Sequence, residues 1–279
     1  MTDDLTTDAE CTWCPGCGNF GLFEAAKKAI RKLEEDGTPR SKIVMVAGIG
    51  CGPKIFDYLA ISGVYALHGR EVSTGQGIKI ANPDLKVLVF GGDGGIMGEG
   101  LEHLMFAAKR NIDITVVVHD NGVYGLTTGQ FTPLSTKGFK GRSTPRGSIE
   151  EPFNPLTLTM EAGASYVARG FTVKMDHLAD LIAGGVNHRG FSFVDALQPC
   201  HTFNNTYKLY SQTTEIMEQV PENREAAVKM ALKEDKWPIG LFLKENRPEY
   251  TELLLDGRNP SGKKTDRKKR LEAVSKLIG

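Results

Sequence analysis

Lys86-Val-Leu-Val-Phe-Gly-Gly-Asp-Gly-Gly95 joins a short apolar run to a glycine-rich turn built around one carboxylate. The run does not alternate polar and apolar residues, so it suits a strand buried on both faces, as in a parallel sheet covered by helices. Three further runs read the same way: Lys42 to Ala47 (KIVMVA), Ile114 to Val118 (ITVVV) and Phe191 to Ala196 (FSFVDA). Between them lie helix-length patterns. From Asn19 to Asp36 the apolar residues Phe23, Ala26, Ile30 and Leu33 recur at helical spacing, and Gly37 and Pro39 supply the stop. Gly98 to Arg110 and the shorter His177 to Ile182 give two more. Strand and helix alternate, which predicts an α/β fold with a doubly wound, mostly parallel sheet. In such a sheet ligands bind where strands end.

The 279 residues are 40% hydrophobic and 24% charged, enough apolar content for one large α/β domain spanning 1–279. Three segments stand apart from the periodic pattern. They are a cysteine-bearing N-terminal stretch at about 10–18, an aperiodic stretch from Thr127 to Pro155 read as a long ordered loop near the site, and a charged extension from Lys244 to the end. The basic run Lys263 to Arg270 (KKTDRKKR) within that extension reads as a solvated tail or helix face. Lysine plus arginine equals aspartate plus glutamate at 34 each, so no overall field favours nucleic acid or an anionic membrane. No signal pattern opens the chain and no apolar stretch approaches the ~20 residues that span a bilayer, so a cytoplasmic location is expected. In that reducing compartment five cysteines point to metal or redox chemistry before disulfides.

A second strand end resembles the first. About 25 residues after Gly95, the run ITVVV leads into Asp120-Asn-Gly-Val-Tyr-Gly125. Mg²⁺ takes near-octahedral oxygen coordination at ~2.0–2.1 Å, with one or two protein groups and phosphate oxygens in the shell. Asp93, the amide oxygen of Asn121 and a nearby carbonyl can supply the protein half. The glycines let backbone N–H groups close on a diphosphate, and a helix beginning near Gly98 would point its positive end the same way. Cysteines mark other turns: Cys14 and Cys17 in Cys-Pro-Gly-Cys-Gly before the first helix, Cys51 in Gly-Ile-Gly-Cys-Gly after a strand, and Cys200 in Gln-Pro-Cys-His after another. Such a set suits Zn²⁺, an iron–sulfur cluster or a dithiol, and spacing does not choose among them. Lys54, three residues beyond Cys51, would bring a cation beside the same region.

The paired strand ends resemble the thiamine-diphosphate motif, Gly-Asp-Gly followed after about 25 residues by Asn-Asn; this chain departs from it at Asp120. More specifically, Trp13-Cys-Pro-Gly-Cys-Gly-Asn-Phe20, Leu67-His-Gly-Arg70, Tyr124-Gly-Leu-Thr-Thr-Gly-Gln130, Ser143-Thr-Pro-Arg-Gly147 and Gln198-Pro-Cys200 resemble the β subunits of 2-oxoacid:ferredoxin oxidoreductases. The resemblance spans roughly residues 10 to 210. It implies one [4Fe–4S] cluster on Cys14, Cys17, Cys51 and Cys200, and Mg²⁺ on Asp93, Asn121 and the Val123 carbonyl. It implies cofactor contacts from Ile49, Gly50, Cys51 and Gly52 on one side, and from Gly94, Gly95, Gly125 and Leu126 on the other. His68 would hydrogen-bond the cofactor and Lys54 would meet the substrate carboxylate. Also implied are a companion α subunit, in a heterodimer or a dimer of heterodimers, with ferredoxin, coenzyme A and a 2-oxoacid as partners. The loop from Thr144 to Pro152 resembles enzymes acting on 2-oxoglutarate or a broad range of 2-oxoacids. Two other readings fit parts of the pattern: a non-oxidative thiamine-diphosphate decarboxylase or synthase, and a zinc-stabilised non-catalytic subunit.

Overall fold

The structure is a computed structural model that describes residues 4–233, 235–262 and 266–278. Among the described residues, eight strands form one sheet: β1 (Ile43–Ala47), β2 (Ser62–Tyr65), β3 (Lys86–Gly92), β4 (Thr115–Asp120), β5 (Tyr166–Phe171), β6 (Ser192–Leu197), β7 (Thr214–Ile216) and β8 (Trp237–Lys244). Their order is β2-β1-β3-β4-β6-β5-β8-β7. All neighbours pair in parallel except β5 and β8, which are antiparallel. The four expected strands are β1, β3, β4 and β6, shifted by a residue or two at their ends. They are adjacent in the sheet, so the apolar runs mark its centre.

Ten α-helices among the described residues accompany the sheet: α1 (Asn19–Glu35), α2 (Ile55–Tyr58), α3 (Glu71–Ala81), α4 (Leu101–Arg110), α5 (Pro155–Ala162), α6 (Met175–Asn187), α7 (Tyr207–Thr213), α8 (Arg224–Ala231), α9 (Tyr250–Leu255) and α10 (Arg267–Ile278). Successive strand residues feed opposite faces, as period-two geometry requires. Leu88 and Phe90 of β3 pack with α1 and α6 in one buried cluster. Val87 and Val89 pack with α3, α4, α5 and α8 in the other. Burial on both faces is why these strands carry no polar alternation.

One expectation is corrected. The helix read from Gly98 begins at Leu101, and Gly94–Glu99 is a π-helical segment that follows Asp93 directly. It is closed by the Gly100 N–H donating to the Gly95 carbonyl at 2.8 Å. Glycine is required where the turn starts, because a Cβ on Gly94 would fall inside contact distance of the Tyr124 ring. In the charged extension that begins where β8 ends as an internal strand, α9 docks with Thr251 buried. The last helix, α10, is exposed throughout, with no buried residue. Lys263, Lys264 and Thr265 of the basic run lie outside the described residues. Among the described residues, no helix is long and apolar enough to cross a membrane.

Candidate active site

Register brings four strand ends level. Ala47 pairs with Phe90, Gly92 with His119, and Asp120 with Leu197. The segments that follow, Gly48–Gly52, Asp93–Gly95, Asn121–Gly125 and Gln198–Cys200, therefore emerge side by side at the carboxyl end of the sheet, where a doubly wound fold binds its ligands.

One cavity of about 90 Å³ lies there. Asp93, Asn121 and Val123 line it together with His68, as do Ile49, Gly50, Gly94, Gly95, Gly125 and Leu126. Asp93 is 1% exposed, and burial pushes its carboxyl up to about 7 against the hydrogen bond from Thr132 Oγ1 at 2.5 Å and the N–H groups of Gly94 and Asn121. A carboxyl so poorly solvated gains from a cation. The Asn121 side chain is fixed at both ends: its Oδ1 accepts from the Val123 N–H at 3.0 Å and its Nδ2 donates to Gln198 Oε1 at 3.1 Å. Ser135 donates to the Gly122 carbonyl at 2.6 Å, so the loop after β4 is held from the Thr127–Pro155 side. His68 Nδ1 stands 3.3 Å from Glu99 Oε2 but lacks the alignment of a hydrogen bond, leaving a buried ring nitrogen without a partner.

A second cavity of about 50 Å³ is lined by Cys14, Cys17, Cys51 and Cys200. Asn121 and Gly125 line both cavities. Gly125 forms the partition: a Cβ there would stand 3.4 Å from Cys51 Sγ and 4.0 Å from Cys200 Sγ. Burial pushes the Cys17 thiol up to about 11, with the other three cysteines adding to the rise and the Asn19 N–H opposing it. Burial also raises Cys51, while the Lys54 charge opposes the rise. Lys54 Nζ also donates to Thr12 Oγ1 at 3.0 Å. Among the described residues no three His, Cys, Asp or Glu side chains converge as a single-ion site. The thiols ring a cavity instead, a donor set that fits a multi-iron cluster whose thiolates stand apart. Cys11 is exposed and outside this lining.

A β subunit of 2-oxoacid:ferredoxin oxidoreductase from a Sulfolobus species is 41% identical over 261 residues, covering 87% of this chain and 85% of the relative. The chain belongs to the β subunits of 2-oxoacid:ferredoxin oxidoreductases. The 2-oxoglutarate synthase subunit KorB of Methanothermobacter marburgensis is 38% identical over 247 residues, 87% of this chain and 86% of the relative. The structure of 2-oxoglutarate:ferredoxin oxidoreductase from Magnetococcus marinus superposes with a TM-score of 0.88 at 34% identity, over 98% of this β subunit and 94% of that chain. Residues 46–196 match the C-terminal TPP binding domain of thiamine pyrophosphate enzymes, and residues 200–256 match the C-terminal region of the pyruvate ferredoxin oxidoreductase beta subunit. This oxidoreductase subunit thus works with a companion subunit and carries a thiamine-diphosphate-binding domain.

Several site residues of this chain have no local signal in the sequence. Glu71 is 1% exposed, and burial pushes its carboxyl up to about 7; one oxygen lies 3.2 Å from the place of a Gly95 Cβ and the other has no partner. Thr132 reaches Asp93 from within the aperiodic loop. Asp120, where the motif has its first Asn, is pushed well above the usual carboxylate range by burial and then by Asp195. Asp195 is paired with the buried Arg169 at 2.7 Å, so Asp120 answers to an ion pair on the neighbouring strands.

Proposed function

We propose that this β subunit, with its companion subunit, converts a 2-oxoacid and coenzyme A to acyl-CoA and CO₂ and passes the electrons through one [4Fe–4S] cluster to ferredoxin. The observation that carries the reading is the shared partition: a cavity with a buried carboxylate and a cavity ringed by four thiols meet at Asn121 and Gly125. A non-oxidative decarboxylase has use for the first cavity and none for the second. When bound, thiamine diphosphate supplies the carbanion that attacks a 2-oxo carbon and the sink for the electrons left when CO₂ departs, and the cluster takes those electrons onward.

The chain's own residues bind, orient and compensate charge. Asp93, Asn121 and the Val123 carbonyl would hold Mg²⁺ and through it the diphosphate. N–H groups at the start of the π-helical segment offer further donors to phosphate oxygens. His68 Nδ1, buried and unpartnered, is free to bond the cofactor. Lys54 would attract the substrate carboxylate and offset the charge that develops on the former keto oxygen. Cys14, Cys17, Cys51 and Cys200 would hold the cluster. 2-Oxoglutarate is the favoured substrate, in line with the loop Thr144 to Pro152 and with the substrate named for the Magnetococcus and Methanothermobacter proteins.

The test is analysis of the purified complex with its companion subunit for iron, sulfide and thiamine, alongside Cys200→Ser. The expected result is an iron–sulfur cluster and thiamine diphosphate in the wild type, and in the variant lost iron with retained thiamine. Zinc in place of iron would overturn the reading. A kcat/KM for pyruvate above that for 2-oxoglutarate would overturn the substrate assignment alone.

A further inference from the structure

Gln198 directly follows β6, lines the thiol cavity and is fully buried. Its backbone N–H donates to the Asp120 carbonyl at 2.7 Å, and the next residue's carbonyl accepts from the Gly18 N–H at 3.1 Å. The Gln-Pro-Cys segment is thereby stitched to the metal-side strand β4 and to the Cys17 turn. The side chain repeats that connection. Oε1 accepts from Asn121 Nδ2 at 3.1 Å, while Nε2 donates to the Pro199 carbonyl at 2.8 Å and lies 3.8 Å from Cys17 Sγ, within reach of an N–H···S contact.

The Pro199 carbonyl can only accept, so it fixes which end of the Gln198 amide carries the NH₂ group. Oε1 is then presented to Asn121 and fixes its amide in turn, with NH₂ toward Gln198 and Oδ1 toward the loop at Val123. A cation needs that oxygen, and a flipped amide would offer it NH₂ instead. On the other side, N–H donors to cluster-bound thiolates are among the groups that set cluster potential. Cys17 is half-buried, and the Gln198 Nε2 stands 3.8 Å from its Sγ.

We propose that Gln198 is a positioning residue common to both sites, orienting the metal ligand Asn121 through one end of its amide and the cluster ligand Cys17 through the other. The inference rests on the proposed function, since it takes Asn121 as a Mg²⁺ ligand and Cys17 as a cluster thiolate.

The experiment uses the full complex carrying Gln198→Met, which keeps side-chain length and removes both hydrogen-bonding ends, and Gln198→Glu, which keeps an acceptor for Asn121 and loses the N–H donors. Two readouts are taken: the cluster midpoint potential from a redox titration followed by electron paramagnetic resonance, and Mg²⁺–thiamine diphosphate affinity from calorimetry. Gln198→Met is expected to retain iron, to show a more negative potential and to bind the cofactor roughly 10-fold more weakly, the low end of the loss seen for groups that orient metal ligands. Gln198→Glu is expected to show the more negative potential with affinity within about threefold of wild type, less than 1 kcal/mol. Wild-type potential and affinity in Gln198→Met would overturn the proposal. So would iron loss from both variants, which makes Gln198 a requirement for cluster assembly, or an affinity loss in Gln198→Glu equal to that in Gln198→Met. A wild-type complex devoid of iron would instead overturn the proposed function, and this inference with it.

Discussion

The two ends of the parallel strands treat their buried titratable groups differently. At the amino end, Asn111 accepts at Oδ1 from Ser165 Oγ and from the Phe191 N–H, and donates through Nδ2 to the Arg247 and Pro248 carbonyls. Buried Lys79 pairs with Asp113 at 2.5 Å and donates to the Pro83 and Leu85 carbonyls. The Glu249 carboxylate caps α9 and accepts from the Asp113 N–H. At the carboxyl end, Asp93 and Glu71 are both pushed up to about 7 by burial, and Glu71 Oε2 and His68 Nδ1 have no partner. A buried polar atom without a partner costs about 1–3 kcal/mol. The amino end has an unpartnered atom of its own, Thr251 Oγ1, but at the carboxyl end the unpartnered atoms include those of two titratable side chains, Glu71 and His68, next to glycine turns that line a cavity a ligand would complete.

That contrast breaks most visibly at Asp93. Asp93→Ala removes the only carboxylate of the metal set, and Mg²⁺-dependent thiamine diphosphate binding is expected to disappear in titration calorimetry; unchanged affinity would remove Asp93 from the site. The same instrument reads the proton. Burial pushes the folded carboxyl up to about 7 from 3.8, so as pH falls through that region a growing fraction is protonated and loses the anionic form a cation requires. Wild-type affinity should therefore weaken as pH falls through that value.

Next in size is Lys54→Ala, with thiamine and iron content retained and kcat/KM for 2-oxoacid-dependent acceptor reduction lower by roughly 10²–10³, the rate equivalent of one preorganised donor at ~2.7–4 kcal/mol. Lys54→Arg should recover little, because a planar fork does not occupy the place of a compact ammonium. A loss within about threefold would return Lys54 to the role of a turn lysine bonded to Thr12.

The opposite end supplies the smallest effect and the control. Asn111→Ala strands its partners and gives up a side chain suited to the left-handed backbone at φ 53°. A stability loss of about 2–3 kcal/mol in chemical denaturation is expected. Cofactor affinity of the folded protein should not change. A variant of normal stability with weakened cofactor binding would erase the distinction between the two ends.

The central strands were legible because burial on both faces leaves an unbroken apolar run. β5 was not, because Arg169 interrupts YVARGF; its charge is met by Asp195 across the sheet and its guanidinium lies over the Trp237 ring at 5.5 Å. Such neutralisation comes from a neighbouring strand and leaves no trace in the local pattern. β2 and β7 are short edges of four and three residues with mostly exposed side chains, so they carry no apolar signature. Asp93, Asn121 and the cysteines were legible as chemistry next to glycine turns. Glu71, Thr132 and Gln198 were not assigned roles, since what sets each apart is burial and a partner distant in sequence.

The π-helical segment after Asp93 also bears on how this chain tolerates change in length. An α-helix turns about 100° per residue, and a π turn absorbs one residue beyond that count. Deleting a single residue among Ile96, Met97 and Gly98 would let Gly94–Glu99 run on as regular helix into α4. The face turned toward Tyr124 and the face α4 buries with Leu104, Ala107 and Ala108 would keep their relation, because the residue removed is the one the wide turn had absorbed. A deletion within α4 itself would instead turn one face against the other by about 100°. Lineages of this subunit should therefore accept loss of one residue across 96–98 more readily than loss of one residue across 101–110.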